Sequence, residues 1–167
     1  MLTGLPEFVA PIQLAKQHQI LKGNIPLEKM TRIHSSLNEV KGEVHFDWQF
    51  SMDDEQHPIV NGTLQTKLPM ICQRCLQPML YSLDVEIALL ITFAEEEDVP
   101  LGYEMLILTN HQPISLIQLV EDELVLALPI VPKHDTCPYN EYALDDTTPV
   151  EKEKYNPFHV LNQLKKQ

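Results

Sequence analysis

The sequence predicts an α+β domain: an antiparallel β-meander of about four strands packed against a C-terminal helix and N-terminal helical segments, followed by a flexible acidic C-terminal tail. Three observations carry this prediction. Apolar and polar residues alternate with period two through three successive segments of the middle third, one capped run with helical spacing follows them, and beyond Pro132 the chain turns polar, acidic and proline-rich. At 167 residues the chain fits one domain with tails and is long enough to bury an ordinary core without disulfides. The domain is expected over residues 1–133 and the tail over 134–167, ending in a short helix within "NPFHVLNQLKK".

In chain order, "PIQLAKQHQ" suits a short helix, "ILKGNIP" an extended piece and "LEKMTRIHSSL" a second helix before the first long strand. From Val40 onward Val44, Phe46, Trp48, Phe50 and Met52 are apolar while Lys41, Glu43, His45, Asp47 and Gln49 lie between them, the pattern of a half-buried strand. "DDEQHP" breaks that run. Val60, Leu64, Leu68 and Met70 continue the period in the next segment, and Met79, Tyr81, Leu83, Val85, Ile87, Leu89, Ile91 and Phe93 in the third. Connections this short pair successive strands as hairpins, with one face covered and the other wet. After "AEEEDVPLG", Tyr103 to Thr109 supplies a fourth strand. Ser115 then caps a helix, with Gln118 in capping-box position and Ile117, Val120, Leu124 and Leu128 recurring until Pro129 ends it. That helix is expected to cover one face of the sheet.

Charge and motifs narrow the function. With 24 acidic against 12 basic residues the formal charge is -12, which repels a phosphate backbone unless basic residues gather on one face, and favours a basic protein partner. The longest apolar runs fall far short of the roughly 20 residues of a membrane span, and "MLTGLPEFVAP" lacks a basic stretch followed by an apolar one, so a soluble cytoplasmic protein is expected. No G-x-S-x-G, P-loop or dinucleotide fingerprint is present, and no catalytic residue is assigned. Glu121, Asp122 and Glu123 fall in the capped helix, where at least two are expected on its solvent face. His45, His57, His111 and His159 are scattered and read as solvated side chains. Trp48 and the phenylalanines have the flat faces that stack on bases, but their regular placement on one strand face assigns them to the core.

The residues that suggest chemistry lie in "ICQRCLQP", between the second and third strands. Cys72 and Cys75 have the spacing that aims two thiolates at one ion, and His134 with Cys137 repeats it downstream. Together they would close a structural zinc site of three sulfurs and one nitrogen. Two other readings stay open: a redox pair in which Arg74 lowers a thiol pKa, or small buried thiols that brace a hairpin. Three cysteines, an odd number, argue against a disulfide framework, and the strand pattern after Pro78 differs from the helix that follows a thioredoxin-like motif.

"CQRCLQP", the later "ISLIQLVEDELVLALPIVPKHDTC" and the final "NPFHVLNQLKK" together resemble the bacterial YceD family, named for accumulation of the large-subunit ribosomal RNA. The similarity extends to the N-terminal "LAKQHQILKGNIP" and the order of elements. It implies a non-enzymatic factor that supports 23S ribosomal RNA build-up and large-subunit assembly, with the family's cysteine positions falling on Cys72 and Cys75 and the downstream part on His134 and Cys137. Two partner classes follow. Basic ribosomal or assembly proteins would be steered to acidic surfaces, whereas direct contact with 23S rRNA would rely on Arg74 and Lys67, with Lys41 and Arg32 as further basic residues. Lys165 and Lys166 complement the end of the terminal helix and offer a phosphate contact of their own.

Overall fold

The computed structural model describes residues 4–93 and 99–137. In chain order these form strand β1 (Phe8–Val9), helix α1 (Pro11–Lys16), strand β2 (Ile20–Pro26), two 3-10 turns (Leu27–Lys29 and Ile33–Ser36), strands β3 (Glu43–Met52), β4 (Pro58–Ile71), β5 (Pro78–Thr92), β6 (Glu104–Ile107) and β7 (Ile114–Ser115), and helix α2 (Leu116–Leu126). The main sheet has five strands in the order β2-β3-β4-β5-β6, and β1 pairs with β7 in a separate ribbon. The acidic tail and terminal helix expected beyond residue 137, with Lys165 and Lys166, lie outside the described residues.

The alternating segments become the three long central strands. In the β3–β4–β5 register Phe46, Leu64 and Val85 fall in one row, Trp48, Gly62 and Ile87 in the next, and Phe50, Val60 and Leu89 in a third. Val85 is half-buried; the other side chains of these rows pack into a core completed by Leu116, Leu119, Val120 and Leu124 of α2. The intervening rows, His45–Gln65–Asp84 and Asp47–Thr63–Glu86, make a polar outer face. Trp48 is fully buried and stands edge-on to Phe46, with ring centroids 5.7 Å apart, so its place is in the core.

Pro69 sits inside β4, where a central strand would lose a ladder bond. The loss does not arise, because β3 pairs with β4 only as far as Thr66, and the Pro69 carbonyl instead accepts from the Asn38 N–H at 2.8 Å. Ser115 caps α2 as expected, its side chain accepting from the Gln118 N–H.

Two expectations are corrected. The sheet is not a purely antiparallel meander of four strands: Ile20–Pro26 joins as an edge strand, and β6 runs parallel to β5, with Leu89 opposite Glu104 and Thr92 opposite Ile107. A parallel neighbour normally needs a long crossover, but the return here is only from Thr92 to the level of Leu89, which the stretch 93–103 covers. The second N-terminal helix is replaced by the two 3-10 turns. Leu27, Met30 and Ile33 are all fully buried at a spacing of three, which suits three residues per turn and not 3.6.

The helix acids are a third correction. Glu121 and Glu123 are buried, and neither belongs to a solvent face. Glu121 faces the second 3-10 turn, where its Oε1 accepts from the Arg32 N–H at 2.6 Å and the Ile33 N–H at 3.3 Å. It supplies the acceptor that a turn this short cannot supply for itself. Asp122, beside it, forms an ion pair with the Arg32 guanidinium.

Candidate metal centre

The connection between β4 and β5 is a tight turn from Cys72 to Gln77. The Leu76 N–H donates to the Cys72 carbonyl at 2.8 Å and the Cys72 N–H to the Gln77 carbonyl at 3.0 Å. Closing the turn puts Leu76 in the left-handed region at φ 59. This geometry turns the side chains of Cys72 and Cys75 to the same side. After α2, Pro129 ends the helix and the chain comes back across the hairpin, where the Gln73 N–H donates to the Pro132 carbonyl at 2.8 Å. His134 and Cys137, the first residues of the expected tail, therefore lie against the cysteine turn.

The four side chains meet. Their ligand atoms all lie within 4.8 Å of one another, with Cys72 buried and Cys75, His134 and Cys137 half-buried. The Cys72 and Cys137 sulfurs are 3.8 Å apart, and His134 Nδ1 is 3.4 Å from Cys75 Sγ and 3.9 Å from Cys137 Sγ. Metal–ligand bonds of about 2.3 Å to sulfur and about 2.0 Å to nitrogen, at tetrahedral angles, place sulfurs roughly 3.8 Å and sulfur and nitrogen roughly 3.5 Å apart. The donor set and its spacing thus fit a four-coordinate metal, and the ring presents Nδ1.

Electrostatics around the sulfurs points the same way. Burial pushes the Cys72 thiol up, but the backbone N–H groups of Cys75, His134 and Arg74 outweigh it and bring the pKa down to about 5. The His134 N–H lies 3.4 Å from that sulfur. For Cys75 the Gln77 N–H pulls downward, yet burial and the adjacent thiols Cys137 and Cys72 leave it raised. Sulfurs crowded this closely repel one another when ionised, and a cation among them removes the conflict.

Arg74 lies against the cluster. Its Nε donates to Cys137 Sγ at 2.8 Å and an Nη to the His134 carbonyl at 2.9 Å. The Cys137 sulfur holds the guanidinium pKa above its usual range. Three thiolates and a neutral imidazole around a divalent ion leave one excess negative charge, and Arg74 is positioned to balance it. Lys67 stands apart from this cluster, exposed on the outer face of β4 opposite Ser82, beside a shallow hollow lined by His45, Gln65 and Asp84. The two expected contact residues thus do not form one patch. Nothing in "QRC" distinguishes an arginine bonded to the returning chain from one facing a partner.

Fold and site together define a class: an α+β domain in which the tip of the longest hairpin and the segment after the C-terminal helix bring three cysteines and one histidine together. The chain belongs to the YceD family, described as large ribosomal RNA subunit accumulation protein YceD, whose profile matches residues 60–165. That span contains all four cluster residues. A relative from Haemophilus influenzae, named large ribosomal RNA subunit accumulation protein YceD, is 30% identical over an alignment of 167 positions that covers 96% of each chain. No solved structure matches the chain. No helix among the described residues is long and apolar enough to cross a membrane.

Proposed function

We propose that this chain acts in the cytoplasm as a non-catalytic binding factor for accumulation of 23S ribosomal RNA and assembly of the large ribosomal subunit, with Cys72, Cys75, His134 and Cys137 holding one structural zinc ion. The family supplies the process. The observation that carries the molecular reading is the closure of the cluster: four protein ligands leave no open coordination position for water or substrate, so the ion supplies cross-linking and no catalysis. Cys72 and Cys75 hold the hairpin end, His134 and Cys137 hold the returning chain, and Arg74 covers the charge.

Charge favours a basic protein of the large subunit as the direct partner. The outer sheet face presents Asp47, Asp84 and Glu86 against Lys22 and Lys67, and Arg74 is engaged at the cluster, which leaves little for a phosphate backbone. Capture of the tagged chain from lysate with and without nuclease tests this. Basic large-subunit proteins should remain after nuclease. Retention of 23S rRNA that vanishes with nuclease, with no protein left, would make the chain an RNA binder, and retention of neither would remove the ribosomal reading.

A further inference from the structure

Between the C-terminal half of α2 and the β5–β6 edge of the sheet lies a cleft of about 170 Å³. Its apolar lining includes Val85 of β5, Leu126 of α2 and the capping residue Ala127, and its acidic lining Glu86 of β5, Glu104 of β6 and Glu123 of α2. Glu123 is 9% exposed and has no hydrogen bond or ion pair among the described residues, although its carboxylate borders the open cleft. Most of the Glu123 residue is buried while its carboxylate oxygens keep some contact with solvent, so the isolated chain loses part of that group's hydration with no partner to replace it. Burial first, then the charges of Glu104 and Asp122, push its pKa up to about 7. The same end of α2 has no basic residue in its last turn, so the negative end of the helix dipole is also uncompensated.

We infer that this cleft is a docking pocket for one lysine side chain of a basic polypeptide, with the ammonium group between Glu123 and Glu104 and the aliphatic stem along Val85, Leu126 and Ala127. The walls match the two parts of that side chain, an apolar stem and a cationic tip. The volume suits one extended side chain and excludes a folded element. A divalent metal fits poorly, because two carboxylates fall short of the six or more oxygens that Ca²⁺ or Mg²⁺ takes. Among the described residues the cysteine cluster is the one group of three or more candidate ligands, and the cleft offers no third ligand close to its two carboxylates. The inference deepens the proposed function, since it places a contact point for a basic protein, and it rests on that reading only for the partner's cellular identity.

The test is titration of the purified full chain with a blocked penta-lysine peptide at low ionic strength, followed calorimetrically. Glu123→Gln and Glu104→Gln should each weaken binding about fivefold or more, while Asp84→Asn, the same charge change on the outer sheet face, should leave it within twofold. Unchanged affinity in Glu123→Gln, or an equal loss in Asp84→Asn, would overturn the pocket and show that the peptide senses net charge alone. Stronger displacement by Mg²⁺ than by sodium chloride of equal ionic strength would also overturn it, in favour of a metal site. A circular-dichroism melt of each variant confirms that the folded chain is being titrated. Because no ribosomal component enters the experiment, its failure leaves the proposed function untouched, and failed capture of ribosomal proteins leaves the pocket untouched.

Discussion

Gly62 lies directly opposite Trp48 in the β3–β4 ladder, and a Cβ placed on it would come within 2.2 Å of the Asp47 carbonyl oxygen and 2.8 Å of Trp48 Cδ1. The largest buried ring of the core therefore exists beside a residue with no side chain. Gly62→Ala is expected to cost about 3 kcal/mol, because the clash is with backbone and cannot be relieved by a rotamer change; a urea melt with a clearly lowered midpoint checks it, and an unshifted one contradicts it. Trp48 was legible as core from its place in the alternation. Gly62 was not, since a glycine in a strand pattern does not show which neighbour needs the room. The fates of Glu121 and Glu123 were hidden for a related reason: a helical wheel places charges toward solvent until a tertiary donor or a covering strand occupies that face.

The elements depend on such single contacts. The α2 helix is tied to the second 3-10 turn by the Glu121 carboxylate, so Glu121→Ala leaves the part-buried Arg32 N–H and the buried Ile33 N–H without an acceptor. A loss of about 2 to 3 kcal/mol is expected, measured by chemical denaturation, and a loss below half that would mean that water replaces the carboxylate freely. The long strands and the capped helix could be read from periodicity and capping, which are local signals. The parallel placement of β6 could not, because it depends on how far the chain returns after Thr92, and neither could the 3-10 turns, although the spacing of Leu27, Met30 and Ile33 held the clue. At the cysteine turn the residue types and the repeated spacing of Cys72–Cys75 and His134–Cys137 were enough to group the four, and the structure brings them together. The route of the returning chain was not legible, since it is set by the end of α2 and the Gln73–Pro132 hydrogen bond.

Across the whole molecule the excess of acid has a thermodynamic consequence. Glu123 titrates near 4.5 in the unfolded chain and at about 7 in the fold, so the folded protein keeps its proton over a range in which the unfolded chain has lost it. Stability is favoured below pH 4.5 by this group, falls as pH rises toward 7 and is level above. Glu86 from β5, Glu104 from β6 and Asp122 on its own helix are the charged groups facing or flanking it, and the charges of Glu104 and Asp122 oppose its ionisation. Glu123→Gln should therefore stabilise the protein above pH 7, on the order of 1 kcal/mol given partial hydration of the carboxylate, and converge with the parent near pH 4.5. Melting both proteins across that range checks the sign; a variant equally or less stable at pH 8 contradicts it.

The central claim is that the hairpin and the chain after α2 are joined through one metal ion held by Cys72, Cys75, His134 and Cys137. The most direct measurement is the zinc content of the purified chain by plasma emission, set against that of Cys72→Ser and compared with the melting temperature of each. The account predicts close to one zinc per chain, its loss in Cys72→Ser, and a matching drop in melting temperature when a chelator strips the parent protein. A parent chain without zinc whose melting temperature is unmoved by chelator or by added zinc would contradict it, and would return the cluster to buried thiols that brace a turn.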